Sequence, residues 1–126
     1  MYPDNLKYTK SHEWVRVSDS MATVGVTDFA QEELGDIVNV ELPTVGTAVH
    51  AGEPFGSVDS VKAVSDLMSP VTGEVVEVND DVEGSPELIN QEPYGTGWLI
   101  IVRMEEPSEL DSLMGSEEYE QFIEAE

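Results

Sequence analysis

The residue with the clearest potential for chemistry is Lys62, a lone amine in a strongly acidic chain. The 126 residues carry 27 Asp and Glu against 5 Lys and Arg, and Lys62 is the only cation between Arg16 and Arg103. Its neighbours Val61 and Ala63 are small and apolar, so no adjacent carboxylate neutralises it. Such an amine is either an ordinary solvated lysine or a group kept for a salt bridge or for covalent attachment.

The composition gives little support to other chemistries. The chain has no cysteine, which excludes disulfides, a thiolate nucleophile and Cys-ligated metals. His12 and His50 are far apart in sequence and lack a third ligand pattern, so no metal site is expected. The acidic stretch 79–83 lacks EF-hand spacing and indicates a solvated turn rather than a calcium site. The absence of a nucleophile elbow and of a phosphate loop argues against self-contained catalysis.

The negative charge of the chain limits the classes of molecule expected to bind it. A formal net charge of -22 and a pI of about 4.1 repel phosphate backbones and anionic lipids, so neither nucleic acid nor a membrane is expected as a partner. The longest apolar run, residues 98–102, is strand-sized. Residues 1–20 resemble neither a secretory signal nor an Arg-rich presequence, and we expect a cytoplasmic protein, or a mitochondrial one only if a transit peptide has been removed. An adaptation to high salt is an open explanation of the acidity.

Two strand-like segments, 55–61 and 64–71, flank the lysine. They leave room only for a tight turn at 61–63, although no Gly, Asn or Pro is there to dictate its type. We therefore expect a hairpin over about 55–71, with Lys62 at its tip and its side chain directed outward. A hairpin tip suits covalent modification, because a ligase can engage both strands without unfolding the domain. Biotin sites typically have methionine on both sides of the lysine, so Val61 and Ala63 favour lipoate.

A sequence repeat surrounds this hairpin. Residues 35–41 and 73–79 each run from a glycine through an acid into a β-branched strand, and Gly-x-Pro follows each copy at 52–54 and 84–86. Two copies are too few for a solenoid and predict a mainly β, two-sheet domain made of two similar halves. A short helix is expected at 29–34, capped by Thr27 or Asp28 and ending at Gly35. Helices at 107–114 and 116–125 would form a C-terminal helical segment of about 107–125, whose apolar stripe packs on the sheets.

The chain resembles the H protein of the glycine cleavage system over nearly its whole length and without insertions. The matching motifs include His12-Glu13-Trp14-Val15, Leu34-Gly35-Asp36, Ser60-Val61-Lys62-Ala63, Pro70-Val71-Thr72-Gly73-Glu74 and Pro86-Glu87-Leu88-Ile89-Asn90. The resemblance implies a lipoyl/biotinyl-like barrel-sandwich hybrid with short peripheral and C-terminal helices. It also implies a single lipoyl-carrier domain over residues 1–126. Two positions depart from the family: Asp59 replaces the usual glutamate and keeps its charge, and Phe29 stands where histidine is frequent.

The resemblance further implies a non-catalytic carrier with lipoic acid in amide linkage to Lys62. Its partners would be a glycine decarboxylase (P protein), an aminomethyltransferase (T protein), a dihydrolipoyl dehydrogenase (L protein) and a lipoyl-attaching ligase or transferase. Two alternatives stay open, namely a lipoyl donor for 2-oxoacid dehydrogenases and an unmodified acidic adaptor.

Site residues are carried over by position. Residues of the family that lie near the aminomethyl-loaded arm match Ser11, Glu13 and Asp66, and the two carboxylates suit a cationic amine. Recognition by the ligase would involve the residues around the lysine, Asp59, Val61 and Ala63.

Overall fold

Most of the regular structure is β-strand, arranged in two antiparallel sheets. The computed structural model describes residues 2–125. Within them, a six-stranded sheet has the order β1-β2-β3-β9-β8-β5 and a three-stranded sheet the order β4-β6-β7. The strands are β1 (Lys7–Tyr8), β2 (Glu13–Ser18), β3 (Met21–Val26), β4 (Ile37–Glu41), β5 (Ala48–Val49), β6 (Pro54–Ser60), β7 (Val64–Met68), β8 (Gly73–Val78) and β9 (Ile100–Met104).

Short helices connect and flank the strands. They are α1 (Asp28–Leu34), α2 (Asp80–Gly84), α3 (Glu87–Gln91), a 3₁₀ helix (Pro107–Ser112) and α4 (Ser116–Glu124). The Thr27 hydroxyl accepts a hydrogen bond from the Ala30 N–H and caps α1, and Gly35 follows it with φ of 78°. Both features were predicted from the capping pattern. No helix within residues 2–125 has the length and apolar character needed to cross a membrane.

The first part of the sequence repeat is also a structural repeat. β4 pairs with β6 and β8 pairs with β9, and each pair contains a bulge, at Val38 on β4 and at Val76 on β8. The two bulges coincide when Gly35 is aligned with Gly73. A bulge bends its strand and increases its twist. The two copies therefore begin strands of the same local shape, β4 in the three-stranded sheet and β8 in the six-stranded sheet. The Gly-x-Pro part is not repeated, since residues 52–54 lead into β6 whereas residues 84–86 join two helices.

The main hydrophobic core fills the space between the sheets, and a second cluster lies under the C-terminal helix. The second cluster contains Leu6, Tyr8, Trp14, Met114 and Tyr119. The predicted apolar stripe is therefore divided: Leu110 and Leu113 pack on the main core, whereas Phe122 and Ile123 pack on the second cluster.

One helix prediction and one turn prediction need correction. The segment 107–114 forms only a 3₁₀ helix ending at Ser112, because Met114 instead exchanges two backbone hydrogen bonds with Tyr8, of 2.8 and 2.9 Å. The stretch 79–83 is not a solvated turn. Asn79 caps α2, whose Val82 is completely buried. Among residues 2–125 no three His, Asp or Glu side chains are grouped so that they could hold a metal ion.

Candidate functional site

The lysine-bearing turn connects β6 and β7 and is organised by Ser60. The Ser60 N–H donates to the Ala63 carbonyl at 2.8 Å. The Ser60 hydroxyl oxygen accepts from the backbone N–H groups of Lys62 and Ala63 at 3.2 and 3.1 Å. A serine hydroxyl that bonds the following backbone can take the place of a specialised turn residue. The sequence indicated the turn, but its stabilising residue was missed.

Lys62 is exposed, yet its aliphatic stem does not point straight away from the domain. A Cβ atom placed on Gly35 would lie 3.4 Å from Lys62 Cε and 3.8 Å from Cδ, so the stem runs alongside the loop between α1 and β4. The Val61 N–H donates to the Asp36 carbonyl of the same loop at 3.0 Å. Lys62 is therefore exposed at the turn, as expected, while its stem runs alongside Gly35.

The residues predicted to contact a ligase lie in the lysine-bearing turn and at the end of β6. Val61 and Ala63 are exposed, with 67% of Val61 accessible. Asp59 lies one residue before the turn, and its carboxylate accepts a long hydrogen bond of 3.4 Å from the Asn39 amide on β4. All of these groups can be approached from solvent beside the lysine.

Glu13, at the start of β2, is only 2% exposed and its carboxylate is held by hydrogen bonds. Its Oε1 accepts from the Thr9 hydroxyl at 2.7 Å and from the Ser11 hydroxyl at 2.5 Å. Its Oε2 accepts from the Met68 N–H at 3.1 Å, so this side chain links the six-stranded sheet to the three-stranded one. The structure thus brings Ser11 and Glu13 into one cluster, and it adds Thr9 and Met68, which sequence reasoning missed.

Burial raises the pKa of Glu13 above its ordinary value of 4.5, and the hydrogen bonds from Ser11, Thr9 and Met68 oppose the rise. Desolvation disfavours the charged form, whereas donors directed at the carboxylate favour it. A positive charge close to this carboxylate would therefore stabilise its ionised form.

A cavity of about 210 Å³ opens next to this cluster. It lies between the loop before β2, helix α1 and strand β7, and its walls include Ser11, His12, Phe29, Leu34 and Ser65. Leu34 precedes Gly35, so the cavity begins one residue away from the loop on which the Lys62 stem lies. A larger cavity of about 730 Å³ lies between residues 2–4 and α4, and none of the predicted site residues lines it.

Asp66 is not part of the Glu13 cluster. Side chains alternate along β7, and Ser65 and Leu67 are more buried than Asp66, which is exposed. Asp66 pairs in register with Ser57, which pairs with Glu41 on the next strand, so these three residues share the outer face of the small sheet. Of the two neighbours, it is Ser65 that faces the cavity.

His12 forms the wall between the cavity and the second hydrophobic cluster. Its backbone has φ of 73°, a region that non-glycine residues seldom adopt. Its Nδ1 is 2.8 Å from the Tyr119 hydroxyl, and its ring centroid is 4.8 Å from that of Phe29. Phe29, one of the two departures from the family pattern, therefore fills space against the His12 ring.

Comparisons with known proteins show the family to which the chain is similar. The family model for the glycine cleavage H-protein matches residues 6–126. The glycine cleavage system H protein of Rubrobacter xylanophilus is 59% identical over 98% of this chain and 96% of its own length. That of Brevibacillus brevis is 54% identical over 97% of each chain.

A solved structure gives the same result for the fold. The crystal structure of a glycine cleavage system H protein from Mycobacterium marinum superimposes with a TM-score of 0.89 at 40% identity. It covers 95% of this chain and 97% of its own. The predicted barrel-sandwich hybrid of two β halves with short helices is confirmed.

Proposed function

The chain belongs to the glycine cleavage H-protein family, and on that premise we propose that it is a lipoyl carrier with lipoic acid attached to Lys62. The carrier would take the aminomethyl group of glycine from a glycine decarboxylase to an aminomethyltransferase, and a dihydrolipoyl dehydrogenase would reoxidise the arm. A bound lipoyl group supplies a disulfide that accepts the aminomethyl group on one sulfur and is re-formed on oxidation. The chain itself supplies the lysine to which the group is attached, the turn that directs this lysine, and the cavity that would shield the end of the arm from water.

The position of Lys62 carries the proposal. Its amine is exposed at the tip of a turn that Ser60 holds closed, between two exposed apolar residues. Its stem already runs over Gly35, next to the cavity wall formed by Leu34. A lysine with a lipoyl group in amide linkage extends roughly 14 Å at standard bond lengths. Because this arm would start beside the cavity, its far end could enter the cavity.

The cavity suits the end of such an arm. Phe29, Ala30 and Leu34 give it apolar walls for a hydrocarbon chain. Its polar lining residues include Ser11, Ser65 and the carboxylate of Glu33. A carboxylate has about four acceptor positions on two oxygens, and three of those on Glu13 are occupied by Thr9, Ser11 and Met68. Glu13 is 2% exposed and does not itself line the cavity; a cationic amine held beside Ser11 would still offset part of the cost of burying this carboxylate through its charge. Asp66 stays a prediction, since it is exposed on the opposite face of β7 from Ser65.

The absence of a self-contained catalytic arrangement in the sequence agrees with a carrier that works through partner enzymes. These partners, the P, T and L proteins, would approach the exposed turn, and the ligase would contact Asp59, Val61 and Ala63. The acidic surface favours partners with basic rims, because opposite potentials steer association.

Intact-mass spectrometry tests the attachment. The full chain would be produced with lipoate and a lipoate-attaching ligase. We expect one lipoyl adduct, located on Lys62 by peptide mapping and absent from Lys62→Arg, which keeps the positive charge. The chain offers a matched control in its other two lysines, Lys7 and Lys10, since the double variant Lys7→Arg/Lys10→Arg should still carry the adduct.

A second measurement tests the pathway. The lipoylated protein is added to a purified glycine decarboxylase, and exchange of the glycine carboxyl group with labelled bicarbonate is followed. Exchange that depends on the lipoylated chain supports the proposal. No adduct, or an adduct that survives in Lys62→Arg, contradicts attachment at Lys62. An adduct without exchange contradicts the glycine cleavage role and favours a lipoyl donor for other complexes.

A further inference from the structure

Asn90, near the end of α3, binds the loop beside the lysine. Its Nδ2 donates to the Gly35 carbonyl at 2.9 Å and to Gln31 Oε1 at 3.0 Å. Its Oδ1 accepts from the Ile37 N–H at 2.9 Å. The side chain therefore holds both ends of segment 35–37, although it lies 53 residues from Ile37 in sequence.

The middle of this segment continues the hydrogen-bonded chain to the lysine turn. The peptide unit between Asp36 and Ile37 donates its N–H to Asn90 and accepts the Val61 N–H on its carbonyl oxygen at 3.0 Å. Val61 immediately precedes Lys62. Hydrogen bonds in series through one peptide unit polarise and orient one another, so the position of the Val61 backbone depends on Asn90.

The same segment provides the surface under the lysine. Gly35, whose carbonyl Asn90 holds, has φ of 78° and leaves space for the Lys62 stem at the 3.4 Å distance described above. This backbone conformation is readily adopted by glycine and strained for other residues, so a side chain at position 35 would strain the segment alongside which the stem runs. Asn90 thus fixes both a hydrogen-bond acceptor for the turn and the surface that the stem follows.

We propose that Asn90 is a positioning residue for the lysine-bearing turn: through the Asp36–Ile37 peptide unit it fixes Val61, and with it the direction in which Lys62 leaves the turn. Asn90 does not touch the lysine and has no part in the chemistry. The effect on modification, though not the effect on the turn itself, rests on the proposed attachment at Lys62.

The chain offers a closely matched control in Asn79. That side chain also makes three hydrogen bonds: its Nδ2 donates to the Thr96 and Trp98 carbonyls at 2.9 and 2.6 Å, and its Oδ1 accepts from the Asp81 N–H at 3.2 Å. None of these partners belongs to the lysine turn or to segment 35–37. Asn79→Ala and Asn90→Ala therefore remove the same group and the same number of bonds.

The test uses the unmodified full chain first. Amide exchange of Val61 with water is measured by NMR, and the loss of stability of each variant is measured by urea unfolding. In Asn90→Ala we expect Val61 exchange to be about two- to thirteenfold faster, the range that corresponds to loss of one ordinary hydrogen bond. In Asn79→Ala it should be unchanged. Equal exchange rates in the two variants overturn the proposal.

The second arm measures attachment of lipoate by a purified ligase. We expect kcat/KM for Asn90→Ala to fall about three- to tenfold, because a loosened turn must be ordered on binding, and Asn79→Ala to match the wild type. Should Asn90→Ala not fold, Gly35→Ala alters the same surface and is expected to slow attachment in the same way. Attachment that is unaffected in the Asn90 or Gly35 variant overturns the proposal. Failure of the wild type to accept lipoate would instead refute the proposed function, while Val61 exchange would still test the turn.

Discussion

Removing the Tyr119 hydroxyl, as Tyr119→Phe, should loosen the C-terminal helix from the wall of the candidate site. This oxygen is 2.8 Å from His12 Nδ1 and 2.8 Å from the Thr27 hydroxyl. His12 lines the cavity and Thr27 caps α1, which forms another of its walls. One buried hydroxyl on α4 thus joins two elements of the site, and phenylalanine keeps the ring while removing both bonds.

The size of the effect follows from these two bonds. Tyr119 and Thr27 are both fully buried, and a buried hydrogen bond contributes about 0.5–1.5 kcal/mol net, so the variant should lose about 1–3 kcal/mol of unfolding free energy. At about 2.1 cal/mol/K per residue, 126 residues give an unfolding entropy of about 0.26 kcal/mol/K. The expected decrease in Tm is therefore about 4–11 °C.

The measurement is urea unfolding followed by circular dichroism, with Tyr8→Phe as the control. Tyr8 is equally buried and stacks on Tyr119 at 4.7 Å between ring centroids, but within residues 2–125 its hydroxyl makes one hydrogen bond, to the Pro3 carbonyl. The control should lose about half as much as Tyr119→Phe. A Tyr119→Phe variant within about 0.5 kcal/mol of the wild type, or no more destabilised than the control, would refute the reasoning.

Three further outcomes are expected. Gly25→Ala should be destabilised by about 1–3 kcal/mol or more in urea unfolding, because a Cβ at Gly25 would lie 2.6 Å from the buried Trp14 ring; a wild-type value would contradict the packing. Burial raises the pKa of Glu13, so its contribution to stability is present below its unfolded value of about 4.5 and is lost as pH rises through its folded pKa. The stability of the wild type relative to Glu13→Gln should therefore fall with rising pH across that window, and a rise would contradict the sign. Glu109→Ala should lose about 1–3 kcal/mol, because both its oxygens accept from Thr72 at 2.7 Å; Glu109→Gln keeps one acceptor oxygen without the charge and should lose less, and a Gln variant as stable as the wild type would argue against a role for the charge.

Local signals in the sequence predicted the parts of the site that local structure determines. The isolation of Lys62 between strand-like segments indicated the turn, and Thr27 followed by Gly35 indicated the limits of α1. The repeat predicted two β halves, and the shared bulge is its structural counterpart. Each of these features depends on residues within a few positions of one another, where spacing and residue type are enough.

Parts that depend on long-range partners could not be predicted in this way. The helix expected at 107–114 is interrupted because Met114 pairs with Tyr8, a partner 106 positions away in the sequence. Asp66 and Ser65 are adjacent, and only the pairing register of β7 decides which of them faces the cavity. A shift of one residue in register exchanges the two faces of a strand, and nothing in residue type separates a serine from an aspartate at such positions.

The arrangement around Lys62 shows why an exposed attachment point still depends on the body of the domain. Ser60 closes the turn locally, but a closed turn can point in many directions. Its direction is set by the Val61 bond to Asp36 and by the course of the lysine stem alongside Gly35, and both of these depend on a loop held from α3. The exposed residues that a ligase would meet therefore stay within a few positions of the lysine, whereas the residues that orient it lie 25 to 30 positions on either side. A short peptide copied from the turn would keep the first set and lose the second, so it should be a poorer substrate for lipoylation than the whole domain, in which that direction is already fixed.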